Sequence, residues 1–402
     1  MTNTNYEYIS ELINNQMWDK CYNEIIEGLK RNYRDYELYF ALGEYYLKKN
    51  INQAYLCYQN ALFYCDNDRD KEYIEEVMNE VKKSEIDVKP YSIIIVSYNS
   101  QDIMKLCLQT IRDNNNVIDN EIIVIDNNST DGTDEIARKA GAIVDGVKEW
   151  LENQEDIKLI KNSSNKGFGE GSNQGIKVAA CDNDIFLLNN DTIITPNALF
   201  WLRMGLYENK KVGAVGCMSN NAAGQCISEK YDSIAEYIDY GIRNNIPNTN
   251  PYEKRVWLSG FALMFRRKTL DEVGLLDYRY GIGYYEDNDI CIRLQYAGYQ
   301  CILCHNSFIF HWGSQSFGEV PDRQLELMKT NRKLFKDKWK FDIDYYSYAR
   351  EELISFIAQE KYKTINVLEI GCGCGATLYK IFMAGIRCKR YRTYGRCCQD
   401  RR

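Results

Sequence analysis

An apolar run in this chain stops abruptly in polar residues at Ile185-Phe186-Leu187-Leu188-Asn189-Asn190-Asp191-Thr192. A buried strand that ends this way delivers its last side chains to the carboxyl edge of an α/β sheet, where ligands bind. A carboxylate there is a hard oxygen ligand, suited to Mg²⁺ or Mn²⁺ held jointly with a diphosphate. Taken alone, Asn-Asn-Asp is also ordinary turn chemistry. Other loops of the same kind shift the balance. Val96-Ser97-Tyr98-Asn99, Asp126-Asn127-Asn128-Ser129-Thr130-Asp131-Gly132-Thr133 and the glycine-rich stretch Asn162 to Gly175 each follow an apolar run. Two further groups complete the set. Glu286, Asp287 and Asp289 head a segment bearing Ile290, Arg293 and Leu294, and His311, one of two histidines, closes Phe308-Ile309-Phe310. Carboxylates at a helix start can simply match its dipole, or one of them can serve as a general base.

The elements that must position these groups follow from periodicity. Ser92 to Val96 is a continuous β-branched run, the mark of a strand buried on both faces. Helix Asp102 to Arg112, strand Glu121 to Ile125, helix Thr133 to Ala140, strand Ile157 to Ile160, helix Gly171 to Ala180 and the strand at Ile185 follow in alternation. Such alternation predicts parallel βαβ units in an open, doubly wound sheet. Val212 to Gly216, Trp257 to Phe265 and Tyr299 to Phe310 read as further strands, with helices over Arg267 to Val273 and Asp322 to Lys338.

Residues 1–84 read as helices with an internal repeat. Cys21, Ile25 and Gly28 reproduce the spacing of Ala54, Tyr58 and Ala61 at an offset of 33 residues, against the roughly 34 of a tetratricopeptide unit. The segment resembles a pair of such repeats; an unrelated helical cap is the other reading. Two repeats are too few to stand alone, so the segment is expected to pack on its neighbour. Lys82 to Lys89, ending at Pro90, reads as the linker.

In order and spacing the strand-end loops resemble the family 2 nucleotide-sugar glycosyltransferases of GT-A fold, nearest their rhamnosyltransferase-like branch, over residues 89–340. The resemblance implies an α/β, Rossmann-like transferase domain behind a small all-α helical-repeat segment. It places Ser97, Tyr98, Asn99, Asp126, Asn128, Asn165, Gly167, Asn173 and Asn190 at the nucleotide-sugar donor. The usual Asp-x-Asp metal motif is Asn189-Asn190-Asp191 here, so Asp191 is the implied metal carboxylate, with His311 completing the site for Mg²⁺ or Mn²⁺. Asp287 is the implied general base, Glu286 is the second catalytic carboxylate, supporting that base or the acceptor, and Trp257, Gly260 and Asp289 fall on the acceptor side. The activity implied is metal-dependent, inverting transfer of a sugar from a nucleoside diphosphate sugar to a hydroxyl of a glycan, lipid-linked or protein acceptor, in glycan or glycoprotein biosynthesis. The competing reading is a non-catalytic helical-repeat scaffold with a degenerate transferase domain, favoured by Asn189. A nucleotidyltransferase is disfavoured, because Ser97 to Gln101 lacks a glycine-rich, basic loop.

Composition limits the rest. With 45% hydrophobic and 27% charged residues the chain reads as a soluble globular protein. A net charge of −7 lends no support to nucleic-acid binding. Met1 to Ser10 is polar and no apolar run reaches the roughly 20 residues of a membrane span. Fifteen cysteines without a secretion signal suggest reduced thiols. The expected location is cytoplasmic, at most peripheral to the inner face of the membrane, with the helical repeats open to a protein partner. Cys301-Ile302-Leu303-Cys304-His305 spells a haem-attachment pattern inside an apolar strand. Haem and zinc are both disfavoured there, since alternating strand residues point to opposite faces. Asn366 to Gly375 resembles the first strand and glycine loop of S-adenosylmethionine-dependent methyltransferases. Too few residues follow for such a domain, and the end from Arg387 turns basic and Cys-rich. Residues 341–402 are therefore expected to be a helical linker and a truncated or frame-shifted stub.

Overall fold

The computed structural model describes residues 6–117, 120–130, 156–313, 321–343, 349–359, 366–370, 377–378, 381 and 387–391. The helix expected at Thr133 to Ala140, the glycine loop after Ile370 and the end of the basic tail lie outside them. Five helices come first: α1 (Tyr6–Asn14), α2 (Trp18–Arg31), α3 (Tyr36–Leu47), α4 (Ile51–Tyr64) and α5 (Asp68–Lys82). Asp35, Asn50 and Asn67 cap the last three, each accepting from a backbone N–H of the first turn, which satisfies donors the helix leaves unpaired. The repeat-spaced residues Cys21, Ile25, Gly28, Ala54, Tyr58 and Ala61 are all buried. Gly28 admits Leu38 and Gly43 admits the Tyr58 ring; a Cβ at either would lie within 2.5 Å of that side chain.

These helices share one hydrophobic core with the sheet that follows. The joint is polar as well as apolar. Asn50 Nδ2 donates to the Tyr207 and Glu208 carbonyls, both at 2.9 Å, and Gln53 Nε2 donates to Met204 O at 2.9 Å. The linker is fastened too, since Asp87 pairs with Arg266 at 2.6 Å. The helical segment packs on its neighbour, as its short length requires.

One nine-stranded sheet contains β1 (Tyr91–Ser97), β2 (Glu121–Asp126), β3 (Ile157–Lys161), β4 (Asp184–Asn189), β5 (Thr192–Ile194), β6 (Val212–Met218), β7 (Tyr252–Arg255), β8 (Ala262–Phe265) and β9 (Gln300–His311). Its order is β3-β2-β1-β4-β8-β6-β9-β5, with β7 paired to β9. Helices α6 (Gln101–Asn114), α7 (Gly167–Val178), α8 (Ala198–Leu206), α9 (Ile234–Asn244), α10 (Arg267–Val273), α11 (Glu286–Tyr296), α12 (Pro321–Trp339) and α13 (Glu351–Gln359) accompany it.

Strands β1 to β4 are parallel, as the alternation predicts. Beyond them, where the strict alternation stops, the sheet is mixed. β8 runs antiparallel to both β4 and β6. The cause is where β8 begins. The chain returns to the carboxyl edge of β4 before entering β8, with Asn189 N donating to Phe261 O at 2.7 Å, so β8 starts where β4 ends and runs back. Trp257 to Phe261 is accordingly a loop at that edge, not the first half of a strand.

β5 and β9 are also antiparallel, with Thr192 opposite His311. This pairing carries the end of a long strand back to the polar stop of β4. Farther on, β10 (Asn366–Ile370) and β11 (Arg387–Tyr391) form a separate parallel pair. The ten cysteines from Cys21 to Cys304 are all free. No helix among those residues is long and apolar enough to cross a membrane.

Candidate active site

The strand-end loops meet in a cavity of about 480 Å³ at the carboxyl edge of β1 and β4. Of the residues expected from sequence, Tyr98, Asn165, Gly167, Asn190, Asp191, Trp257, Gly260, Glu286, Asp287 and His311 line it. Their sequence separations are large, and the sheet edge is what unites them.

Asp191 and His311 meet through the β5–β9 pairing. Asp191 Oδ1 lies 3.2 Å from His311 Nε2, and Asp191 Oδ2 accepts from Gly313 N at 3.0 Å. His311 Nδ1 lies 2.6 Å from Asn221 O. A carbonyl only accepts, so Nδ1 carries a proton, and in the neutral ring Nε2 turns its lone pair toward the carboxylate. Adjacent ligands of an octahedral ion with bonds of about 2.1 Å stand about 3 Å apart. The oxygen–nitrogen pair therefore fits a divalent cation. Asn189 Nδ2 sits 3.2 Å from the same Nε2, occupying the place where the usual motif has a carboxylate. Among the described residues no cluster of three or more His, Cys, Asp or Glu side chains could hold a metal. Further ligands would have to come from substrate and water.

The donor-side loops are interlocked. Asn190 Nδ2 donates to Ser100 Oγ, which itself lies 3.3 Å from Ser97 Oγ. Asn99, at φ +49°, accepts from Thr130 N at 2.7 Å and donates its own N–H to Ser129 Oγ. Asn165 Oδ1 accepts from Gly167 N at 2.8 Å. Gly167, at φ +79°, meets the backbone of the Gly281–Ile282 turn so closely that a Cβ would lie 2.2 Å from Gly281 O. Only glycine fits there. Asp126 is fully buried at the end of β2; its Oδ1 accepts from Ser129 N at 3.2 Å and its Oδ2 has no hydrogen-bond partner. Asn128 sits at φ +66° in the same loop.

Two carboxylates enter from the start of α11. Tyr284 and Tyr285 both hold left-handed backbone, φ +74° and +77°, a costly state for large side chains. Asn331 secures the turn by donating to the Tyr280 and Gly283 carbonyls, each at 2.7 Å. Asp287 Oδ2 then accepts from Gly260 N at 2.9 Å and Oδ1 from Asn288 N at 2.8 Å. Burial pushes Asp287 above the usual carboxylate range. Glu286 is pushed up further, by burial first and then by the Asp287 charge.

Ser97, Asn99, Asp126, Asn128, Asn173 and Asp289 do not line the cavity. For two of them the structure replaces the expected role. Asn173 clamps the Leu276 backbone, donating to its O at 2.8 Å and accepting from its N at 3.0 Å. Asp289, expected on the acceptor side, is fully buried beneath α12. It accepts from Trp339 Nε1 at 2.7 Å, pairs with Lys338 at 2.6 Å and with Arg293 at 3.0 Å. Its oxygens are committed to holding α11 in place.

The cavity also contains residues that sequence reasoning missed. Asn221, Ala222 and Ala223 come from the loop after β6, Ile282 and Tyr284 from the turn before α11, and Met328 from α12. The loop after β6 carried the signal already used elsewhere, a polar cluster ending an apolar strand. Of the discounted motifs, Cys301 and Cys304 are buried in β9, and His305 Nε2 faces Glu253 at 2.9 Å, outside the cavity.

Residues 92–274 match the family model "Glycosyl transferase family 2". An N-acetylglucosaminyl-diphospho-decaprenol L-rhamnosyltransferase of Mycobacterium tuberculosis is 23% identical over 229 residues, covering 51% of this chain and 70% of that protein. A poly-beta-1,6-N-acetyl-D-glucosamine synthase of Staphylococcus epidermidis is 26% identical over 198 residues, covering 49% of this chain and 44% of the relative. A crystal structure of GalNAc-T7 with UDP, GalNAc and Mn²⁺ aligns over 68% of this chain and 55% of its own, with TM-score 0.46 and 14% identity. Residues 92–274, a little under half of the chain, thus match a family 2 glycosyltransferase domain, carried on a mixed α/β sheet behind five helices.

Proposed function

We propose that the cavity transfers a sugar from a nucleoside diphosphate sugar to a hydroxyl acceptor, with a divalent cation, in a single inverting displacement. The observation that carries this is the convergence, in one cavity, of the Asp191–His311 pair with the Glu286–Asp287 pair. Neither pair suffices alone. The first offers one oxygen and one nitrogen to Mg²⁺ or Mn²⁺, and such an ion, when bound, neutralises charge on the leaving diphosphate.

Charge supports the metal requirement. Among the described residues lining the cavity there is no lysine or arginine, but there are three carboxylates, those of Asp191, Glu286 and Asp287. A diphosphate would be repelled without a cation. Tyr98, Asn165 and Asn190 are placed to take the nucleoside end, beside the closed turn at Gly167. Asp287 takes the proton from the acceptor hydroxyl. The Gly260 N–H fixes one of its oxygens, and burial keeps it basic enough to act near neutral pH. Trp257 offers an apolar face to a sugar ring on that side. Asp289 holds the helix that presents the base. The helical segment is free to serve a protein partner on its outer face.

The test is a panel of nucleotide sugars, with and without Mn²⁺, read by thermal stabilisation, because ligand bound to the native state raises apparent stability. An L-rhamnose donor comes first, because the mycobacterial relative is an L-rhamnosyltransferase. Metal-dependent stabilisation by a nucleotide sugar, followed by transfer, supports the reading. Stabilisation by none of them removes it.

A further inference from the structure

Glu286 and Asp287 are adjacent in sequence, yet they pack against different loops of the cavity. Asp287 is tied to Gly260 by a 2.9 Å hydrogen bond from its N–H. Glu286 packs instead against the first turn of α7; a Cβ on Gly169 would lie 3.9 Å from the Glu286 Cβ. That turn belongs to the glycine-rich loop carrying Asn165 and Gly167, both of which line the cavity. Glu286 is only 6% exposed, and its Oε2 is buried with no hydrogen-bond partner. A buried polar oxygen left unpaired is costly, so native structures supply a partner for nearly all of them. None of the described residues supplies one, while Glu286 lines a cavity large enough to admit one.

We propose that Glu286 reads the transferred sugar, its free Oε2 hydrogen-bonding a sugar hydroxyl of the bound donor and so determining which nucleotide sugar is accepted. The inference rests on the donor reading given above and deepens it. The placement argues for donor over acceptor, because the Glu286 stem lies on the glycine-rich side and the Gly260 side is already occupied by Asp287. Burial and the neighbouring Asp287 charge favour the protonated acid, which donates to a hydroxyl oxygen. A site built to bond a hydroxyl strongly rejects an analogue lacking it, since its own polar group is then left unpaired.

The experiment uses the full chain with Mn²⁺ and titration calorimetry. The probes are UDP-GlcNAc, GDP-mannose and dTDP-L-rhamnose, each beside its parent nucleoside diphosphate. The best wild-type donor is then measured against Glu286→Ala and Glu286→Gln. We expect Glu286→Ala to bind that nucleotide sugar at least tenfold more weakly, with affinity for the nucleoside diphosphate held within twofold. Glu286→Gln, which keeps a donor group and the side-chain volume, recovers most of the loss and serves alone should the alanine variant not fold. Deoxy analogues of the same donor locate the hydroxyl: one of them should bind wild type and Glu286→Ala equally. Equal loss for nucleotide sugar and nucleoside diphosphate, or no loss for either, overturns the assignment. Failure of every probe to bind wild type is a different result, which removes the donor reading and this inference with it.

Discussion

His311 Nε2 stands 3.2 Å from Asp191 Oδ1 while its Nδ1 is held by the Asn221 carbonyl. Two acceptors facing each other across that distance repel unless a cation lies between them or the imidazole takes a second proton. On the metal reading a cation lies between them, one partner coming from the turn between β4 and β5 and the other from the end of β9. Alanine at Asp191 or at His311 should abolish Mn²⁺-dependent donor binding and leave the melting temperature of the metal-free protein nearly unchanged. Calorimetry with and without EDTA checks both halves. Retention of Mn²⁺-dependent nucleotide binding in both variants would sink the metal assignment.

The base is predicted separately from the metal. Asp287→Asn should lower kcat by about 10²–10⁴-fold, the usual worth of general-base catalysis, with donor affinity unchanged. The raised position of Asp287 also fixes the direction of the pH profile. The active form is the ionised one, so activity should climb with pH, along a limb displaced above the ordinary carboxylate range. Glu286 sets the stability profile. Its folded form holds its proton more tightly than the unfolded chain, so its contribution is lost as pH rises from the ordinary carboxylate range through the raised folded value. Glu286→Gln should therefore flatten the fall in stability between the ordinary carboxylate range and about pH 8. A wild-type denaturation midpoint that declines no more steeply than that of the variant would count against a buried acid.

Asn197 is the test of whether the helices and the sheet are one cooperative unit. It holds left-handed backbone at φ +61°, accepts from Tyr64 OH at 2.9 Å and donates to Tyr39 OH at 2.9 Å. Both tyrosines belong to the helical segment, and Tyr39 is fully buried. Asn197→Ala removes both bonds and strips the Tyr64 hydroxyl of this acceptor, while Tyr39 keeps its bond to Tyr33 O, at a cost of about 1–3 kcal/mol. The expected readout is a single, lower denaturation midpoint by both far-ultraviolet and near-ultraviolet dichroism. Two separate transitions would show that the helices unfold independently.

The sequence announced the strand-end loops because each combines a short-range signal, an apolar run, with an abrupt polar stop. Asp191, Asp287 and His311 were legible on that basis, together with the motif spacing. Asp289 was not. Its partners Lys338 and Trp339 lie about 50 residues downstream and reach it only once α12 packs over α11. Asn173 escaped for the same reason, since its bond to Leu276 spans 103 residues. The reversal at β8 was hidden because a buried strand reads the same in either direction. That reversal nevertheless decides the site, for it sets Gly260 beside the end of β4 and gives Asp287 its anchor.

Stereochemistry rests on counting the groups able to react. Retention through a covalent intermediate needs a nucleophile on the donor face and then a second displacement. Beyond the metal pair the cavity offers Glu286 and Asp287. Asp287 is held by the Gly260 N–H on the acceptor side, where it can deprotonate an incoming hydroxyl. Glu286 is buried and favours its protonated form, which is a poor nucleophile. One displacement inverts the anomeric carbon, so a β-linked nucleotide sugar should give an α-linked product. Proton NMR of the first product formed decides the matter. The same anomeric configuration in donor and product would require a covalent step, with Glu286 ionised and attacking, and would overturn the roles assigned to both carboxylates.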